Sequence, residues 1–187
     1  MPTVSIFDFA SHARQLLTEL NARKYWSVAG YLAAFAAISS AIYYLPNYSW
    51  LEYWTAVHSE IVLRLLGMSA TITVTPGGTL LNEFLVDKPC TGIQVVATFA
   101  GILLPLPRLP WFKKLAGITL VVVGVYIANI ARIAIQLWVY YKGLFDWTTI
   151  HGPGGIALGI ISVTVLVVLL DQLVPEFGDF VFSILKR

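Results

Sequence analysis

From Leu115 to Tyr141 the chain reads LAGITLVVVGVYIANIARIAIQLWVYY, a run whose one charged side chain is Arg132. About 20 consecutive apolar residues cross the ~30 Å hydrocarbon core of a bilayer as a helix. Such a run cannot stay in water at its full length, so the solvent for this chain is lipid. The composition agrees. Of 187 residues, 58% are hydrophobic and 12% charged, with a mean hydropathy of +0.77, against about 45–50% apolar and about 25% charged in soluble domains. At roughly 20 residues per span, the length suits about four to six spans and no separate soluble domain. The net charge of +2 is too small to point to nucleic acid. A single cysteine forms no internal disulfide. Three histidines and that cysteine lack metal-ligand spacing, so neither a structural metal nor another cofactor is expected.

Three further apolar runs accompany the first: Trp26 to Leu45, Thr91 to about Leu106, and Ile156 to Val174. Aromatic residues at both ends of Trp26–Leu45 match interfacial belts. The leader FDFASHARQLLTELNARKYW reads as an amphipathic interfacial helix, too long and polar for a signal-peptide n-region, so the span is retained. Residues 50–68, WLEYWTAVHSEIVLRLLGM, are helical in period. Glu52, His58, Glu60 and Arg64 make them a poor span, which assigns them to the interface. TITVTPGGTLLNEFLVDK, with β-branched runs around Pro-Gly-Gly, predicts a short hairpin. The expected fold is an all-α multi-pass membrane protein: about four transmembrane helices, interfacial helices and a short extracytoplasmic β-hairpin. With no internal repeat or linker, it forms one domain over residues 1–187.

Orientation follows from the positive-inside rule. Four spans put Arg14, Arg23, Lys24, Arg108, Lys113, Lys114, Lys186 and Arg187 inside, and only Arg64, Lys88 and Lys142 outside. Both termini are then cytoplasmic, in the cell membrane. If residues 50–68 spanned, Cys90 would move inward and the bias would be spoiled.

This topology carries three polar residues to one face. Cys90 lies at the outer end of the second span, where a helix N-terminus favours an anion and should lower a thiol pKa; the plain alternative is an inert small hydrophobe. Arg132 lies ~25 Å up the third span, in the outer leaflet. An intramembrane arginine is costly unless paired or facing a wet cavity; otherwise it snorkels or meets a helix C-terminus. Asn129 shares its helical face and either holds the arginine or bonds a neighbouring helix. His151, in the outer loop segment TTIHGPGG, suits proton transfer near neutral pH, or is an ordinary loop residue. A thiolate, a cation and an imidazole at one depth are what acyl transfer from a peptide requires.

Cys-Thr-Gly opening a span (Cys90, Thr91, Gly92), Asn-x-x-Arg-Ile in mid-helix (Asn129, Arg132, Ile133) and a basic residue at the outer start of a later span (His151) resemble the exosortase/archaeosortase family of membrane-embedded transpeptidases. The resemblance covers about residues 60–170, the catalytic core. It implies an enzyme acting on C-terminal transmembrane sorting signals of secreted proteins, cleaving near a short motif through a thioester. The acyl group then passes to an anchoring acceptor, by analogy a lipid amine. Carried over by position, Cys90 is the nucleophile, Arg132 the thiolate or oxyanion stabiliser, and His151 the acid/base. Many members carry roughly twice as many spans, so this chain keeps a minimal core.

Residues 50–68 and the hairpin form either a scaffold or a lid in which Tyr53, His58, Glu83 or Asp87 touches substrate; His58 is the one rival to His151. Gly155 and Gly159 suit close packing of the fourth span, or the docking of a substrate helix. Asp171 is expected to pair with Arg108 or Lys114, or else to meet the basic tail of a substrate helix. Two other functions remain open at this stage: an intramembrane-type cysteine protease using water, and a small transporter or assembly factor in which Arg132 lines a pathway. The second lacks matched broken helices or inverted halves.

Overall fold

The computed structural model describes residues 28–106 and 109–178. The amphipathic leader and Arg14, Arg23, Lys24, Arg108, Lys186 and Arg187 lie outside them. Helix α1 (Val28–Tyr44) leads into α2 (Ser49–Leu65) through a 72° bend at Leu45–Tyr48, which holds Pro46. Proline cannot donate the helix-continuing hydrogen bond, so the turn falls there. Tyr31 and Ser39 of α1 donate to the carbonyls of Ile102 and Ala97.

Helix α2 keeps Glu60 and Arg64 as an i, i+4 ion pair at its edge. It buries Thr55, Ala56, Ser59 and Leu63. The expected hairpin is a three-stranded antiparallel meander: β1 (Ile72–Thr75), β2 (Gly78–Leu81) and β3 (Phe84–Val86), in that order. Pro76-Gly77 closes the first turn, with Thr75 opposite Gly78. Asn82, at φ 54°, makes the second with Glu83, as asparagine tolerates the left-handed region. Leu81 and Val86 face the core.

A 3₁₀ turn, Lys88–Thr91, precedes α3 (Ile93–Leu103). Gly92 between them has φ +74°, and a Cβ there would stand 2.6 Å from Val125 Cγ1, so this position takes only glycine. At 11 residues, α3 is ~16 Å long, too short to cross a ~30 Å core. The expected span Thr91–Leu106 is trimmed by Gly92 at one end and Pro105 at the other. Helix α4 (Trp111–Tyr141, 31 residues) is long and apolar enough to span, and so is the segment Trp147–Leu173. The latter comprises α5 (Trp147–Thr149), a π-turn (Ile150–Gly154) and α6 (Gly155–Leu173). The bent pair α1 and α2 makes a third span only if counted as one. Among the described residues the fold thus has two to three candidate spans, where the sequence reading expected about four.

Two apolar clusters hold the bundle. At the Trp111 end of α4, Phe99, Leu103, Val121, Leu166, Leu170 and Val174 interlock. Toward the Tyr141 end, Ala56, Leu63, Leu81, Val86, Ile133 and Leu137 join α2, the sheet and α4. Asp171 does not pair with Lys114, and its other expected partner, Arg108, lies outside the described residues, among which Lys113–Glu176 is the ion pair at that end. Lys114 donates instead to the Leu104 carbonyl. Gly155 is buried against Gln136, while Gly159 has open space beside it, so only the first of the glycine pair serves packing.

Candidate active site

Asp87 begins the site by capping the 3₁₀ turn. The Cys90 amide donates to its backbone carbonyl at 2.9 Å and points at its carboxylate at 3.3 Å. Thr91 Oγ1 closes the turn on the Lys88 carbonyl, 2.7 Å away. The Cys90 carbonyl accepts from Asn129 Nδ2 on α4. Asn129 is buried and is spent on the Cys90 backbone, the second of its two expected uses.

Cys90, Arg132 and His151 line one small cavity of about 40 Å3, closed by Phe84, Val86, Ile133, Gln136 and Trp147. Three segments distant in sequence thus deliver thiol, guanidinium and imidazole to one space. His151 lies in the π-turn and not in a loop. Asp146 begins that segment by accepting from the Thr149 amide at 3.0 Å. Pro153, which has no N–H to donate, falls inside the π-turn, and such single turns are frequent at functional sites. The His151 ring stacks on Trp147 at 4.8 Å between centroids. Gln136 Nε2 donates to the Ile150 carbonyl at 3.0 Å, tying α4 to the residue before His151.

The electrostatics reverse one expectation. The Cys90 thiol is pushed up to about 11, first by burial, then by its side-chain hydrogen bond with Asp87, with the Arg132 charge pulling the other way. A helix terminus stabilises a thiolate only where the sulfur is hydrated enough to ionise. Here desolvation outweighs it. At rest Cys90 is a neutral thiol.

The remaining candidates fall elsewhere. His58 Nδ1 is 2.7 Å from the Tyr126 hydroxyl and stacks on Trp54, away from the cavity lining. Glu83 accepts from the Tyr141 hydroxyl at 2.9 Å. Tyr53 is exposed on α2. Sequence reasoning missed Gln136 and Trp147, and gave Asp87 only a substrate contact. Gln136 had a signal: it lies four residues after Arg132 on the same helical face. Among the described residues no group of histidine, cysteine or carboxylate side chains could hold a metal ion.

The sequence model of the transmembrane exosortases matches residues 16–170. The chain belongs to that family. The match reaches further toward the N-terminus than the motifs around Cys90, Arg132 and His151, taking in α1 and α2 as well as the cavity. No curated protein and no solved structure matches the chain. Family membership and the apolar helices place it in a membrane with a sortase-like role.

Proposed function

We propose that this exosortase is a cysteine transpeptidase, with Cys90, Arg132 and His151 as its catalytic residues. The observation that carries the reading is their meeting in one cavity. The substrates are proteins with a C-terminal transmembrane sorting signal. The Tyr141 end of α4 faces the extracytoplasmic side, and both termini are cytoplasmic.

Because the thiol rests protonated, it needs a base, and His151 is the cavity's imidazole. It takes the Sγ proton as sulfur attacks the scissile carbonyl carbon. Arg132 stabilises the negative charge that passes from sulfur to the carbonyl oxygen. His151 returns its proton to the leaving amine, the C–N bond breaks, and the acyl group remains on Cys90 as a thioester. An acceptor amine then attacks the thioester, giving its proton to His151 and expelling the Cys90 sulfur, which regains that proton. Asn129 and Gln136 fix the backbones of the nucleophile and of the imidazole's turn, and Asp87 orients the thiol.

The test is co-expression of a substrate with a tagged C-terminal signal. Wild type yields cleaved product whose new C-terminus carries an added mass, and Cys90→Ala yields none. Normal processing by Cys90→Ala would overturn the reading. A product bearing a free carboxylate would reduce it to hydrolysis.

A further inference from the structure

A second space adjoins the Cys90 cavity, and Arg132 lines both. It is an apolar groove of about 390 Å3 among α3, α4 and α6, within the roughly 300–1,000 Å3 typical of small-molecule sites. Along α4 its lining runs from Gly124 to Arg132, and along α6 from Gly159 to Leu169. At 1.5 Å per residue those stretches measure ~12 and ~15 Å. That is half of a ~30 Å hydrocarbon core, one leaflet deep. A transmembrane helix needs about 20 residues to cross, so the groove is half the length a docked substrate helix would follow.

Its polar end fixes the chemistry of the occupant. Arg132 Nε is buried and has no hydrogen-bond partner among the described residues, and no carboxylate there forms an ion pair with Arg132. The Arg132 guanidinium as a whole makes no hydrogen bond or ion pair among the described residues, and an intramembrane cation is costly unless an anion or water reaches it. An anionic head above a single apolar tail matches a cation at the top of an apolar, leaflet-deep channel. Gly159 borders this channel with no heavy atom within 4 Å of where its Cβ would be.

We propose that the groove is a binding site for a membrane phospholipid of the leaflet on the Cys90 side, with its phosphate on Arg132 and one acyl chain along α4 and α6. The site sets the lipid's head beside Cys90. It stands on the groove alone and does not need the transpeptidase reading.

The test uses the full chain in dodecyl maltoside, which carries no phosphate, with a phosphatidylglycerol bearing a diazirine midway along one acyl chain. Crosslinks are expected on residues 124–128 and 159–166. Gly159→Leu and Ala128→Leu should each cut the yield severalfold, with thermal melting of each variant checked against wild type. Arg132→Gln should weaken binding roughly tenfold, the worth of one charge-assisted hydrogen bond. A diazirine diacylglycerol without phosphate should label as weakly as Arg132→Gln does with the phospholipid. Labelling spread evenly to the lipid-facing Ile156 and Ile160 would overturn the site, as would full labelling of both groove-filling variants. Displacement of the probe by inorganic phosphate would make this a simple anion site, and displacement by a sorting-signal helix peptide a substrate groove; either ends the proposal. Cys90→Ala should lose processing yet keep the crosslink, which separates failure of the lipid site from failure of the catalytic reading.

Discussion

The two ends of α4 are built on different physics. Around Trp111 the bundle is held mainly by side-chain volume: Leu103, Leu170 and Val174 have no solvent exposure and share one apolar cluster, with the Lys113–Glu176 pair and the Lys114 bond to the Leu104 carbonyl beside it. Around Cys90, Asn129 and Gln136 each spend a buried amide on one backbone carbonyl, and Arg132 keeps an N–H unmatched. Packing is tolerant and spread over many contacts. Single hydrogen bonds are not, so the Cys90 end should lose function at once when a partner is removed, while the Trp111 end should lose only stability.

That contrast can be broken by mutation. Cys90→Ala should abolish product and thioester, a fall of ~10³-fold or more, as for nucleophile loss in covalent catalysis, read by mass spectrometry. Arg132→Gln should lower the processing rate by roughly 10²–10³-fold, the usual cost of an oxyanion donor. Arg132→Lys should restore part of it, because an ammonium keeps the charge but not the planar fork. Alkylation of Cys90 by an uncharged maleimide should climb with pH through a midpoint near pH 11. Asp87→Asn removes a group that raises this thiol and should move the midpoint to lower pH; Arg132→Gln removes one that lowers it and should move the midpoint up. A midpoint near the ordinary value of 9 in wild type would show that burial does not control the sulfur. Gln136→Ala should reduce kcat roughly tenfold with little change in KM, the net worth of one hydrogen bond to the histidine's turn. Smallest in catalytic effect is Leu170→Ala at the opposite end. It should cost about 2–5 kcal/mol of stability through the cavity it leaves, measured by thermal melting, with the rate per folded molecule unchanged. If Leu170→Ala slowed chemistry as much as Gln136→Ala, the division between the two ends would be false.

Much of this was legible in the residues. The run around Arg132 could only be a long helix in lipid, and Cys90 and His151 each sat just before an apolar run, so a common depth for all three followed from helix rise. What failed did so for local reasons. Strand β3, Phe84–Val86, is too short to carry a period of its own. The second apolar run looked long enough to cross because neither a left-handed Gly92 nor a terminating Pro105 changes hydropathy. The turn around His151 reads as a loop, since Gly-Pro-Gly-Gly is poor in helix formers, yet the Asp146 cap and the Gln136 tie hold it helical. The thiol's acidity was misjudged in sign, because burial is a property of neighbours that no spacing reveals.

The elbow between α1 and α2 reaches further than its position implies. The Lys88 ammonium stands over the rings of Tyr43, Tyr44 and Tyr48, 4.3, 5.9 and 5.1 Å from their centroids. Cation–π contacts of this kind gain strength as water is excluded. Lys88 is two residues from the sulfur, so this aromatic clasp fastens the first helix to the strand of backbone that carries the reactive atom. A tilt of α1, whether from bilayer thickness or from a neighbouring protein, would be passed through this clasp to the backbone at Cys90.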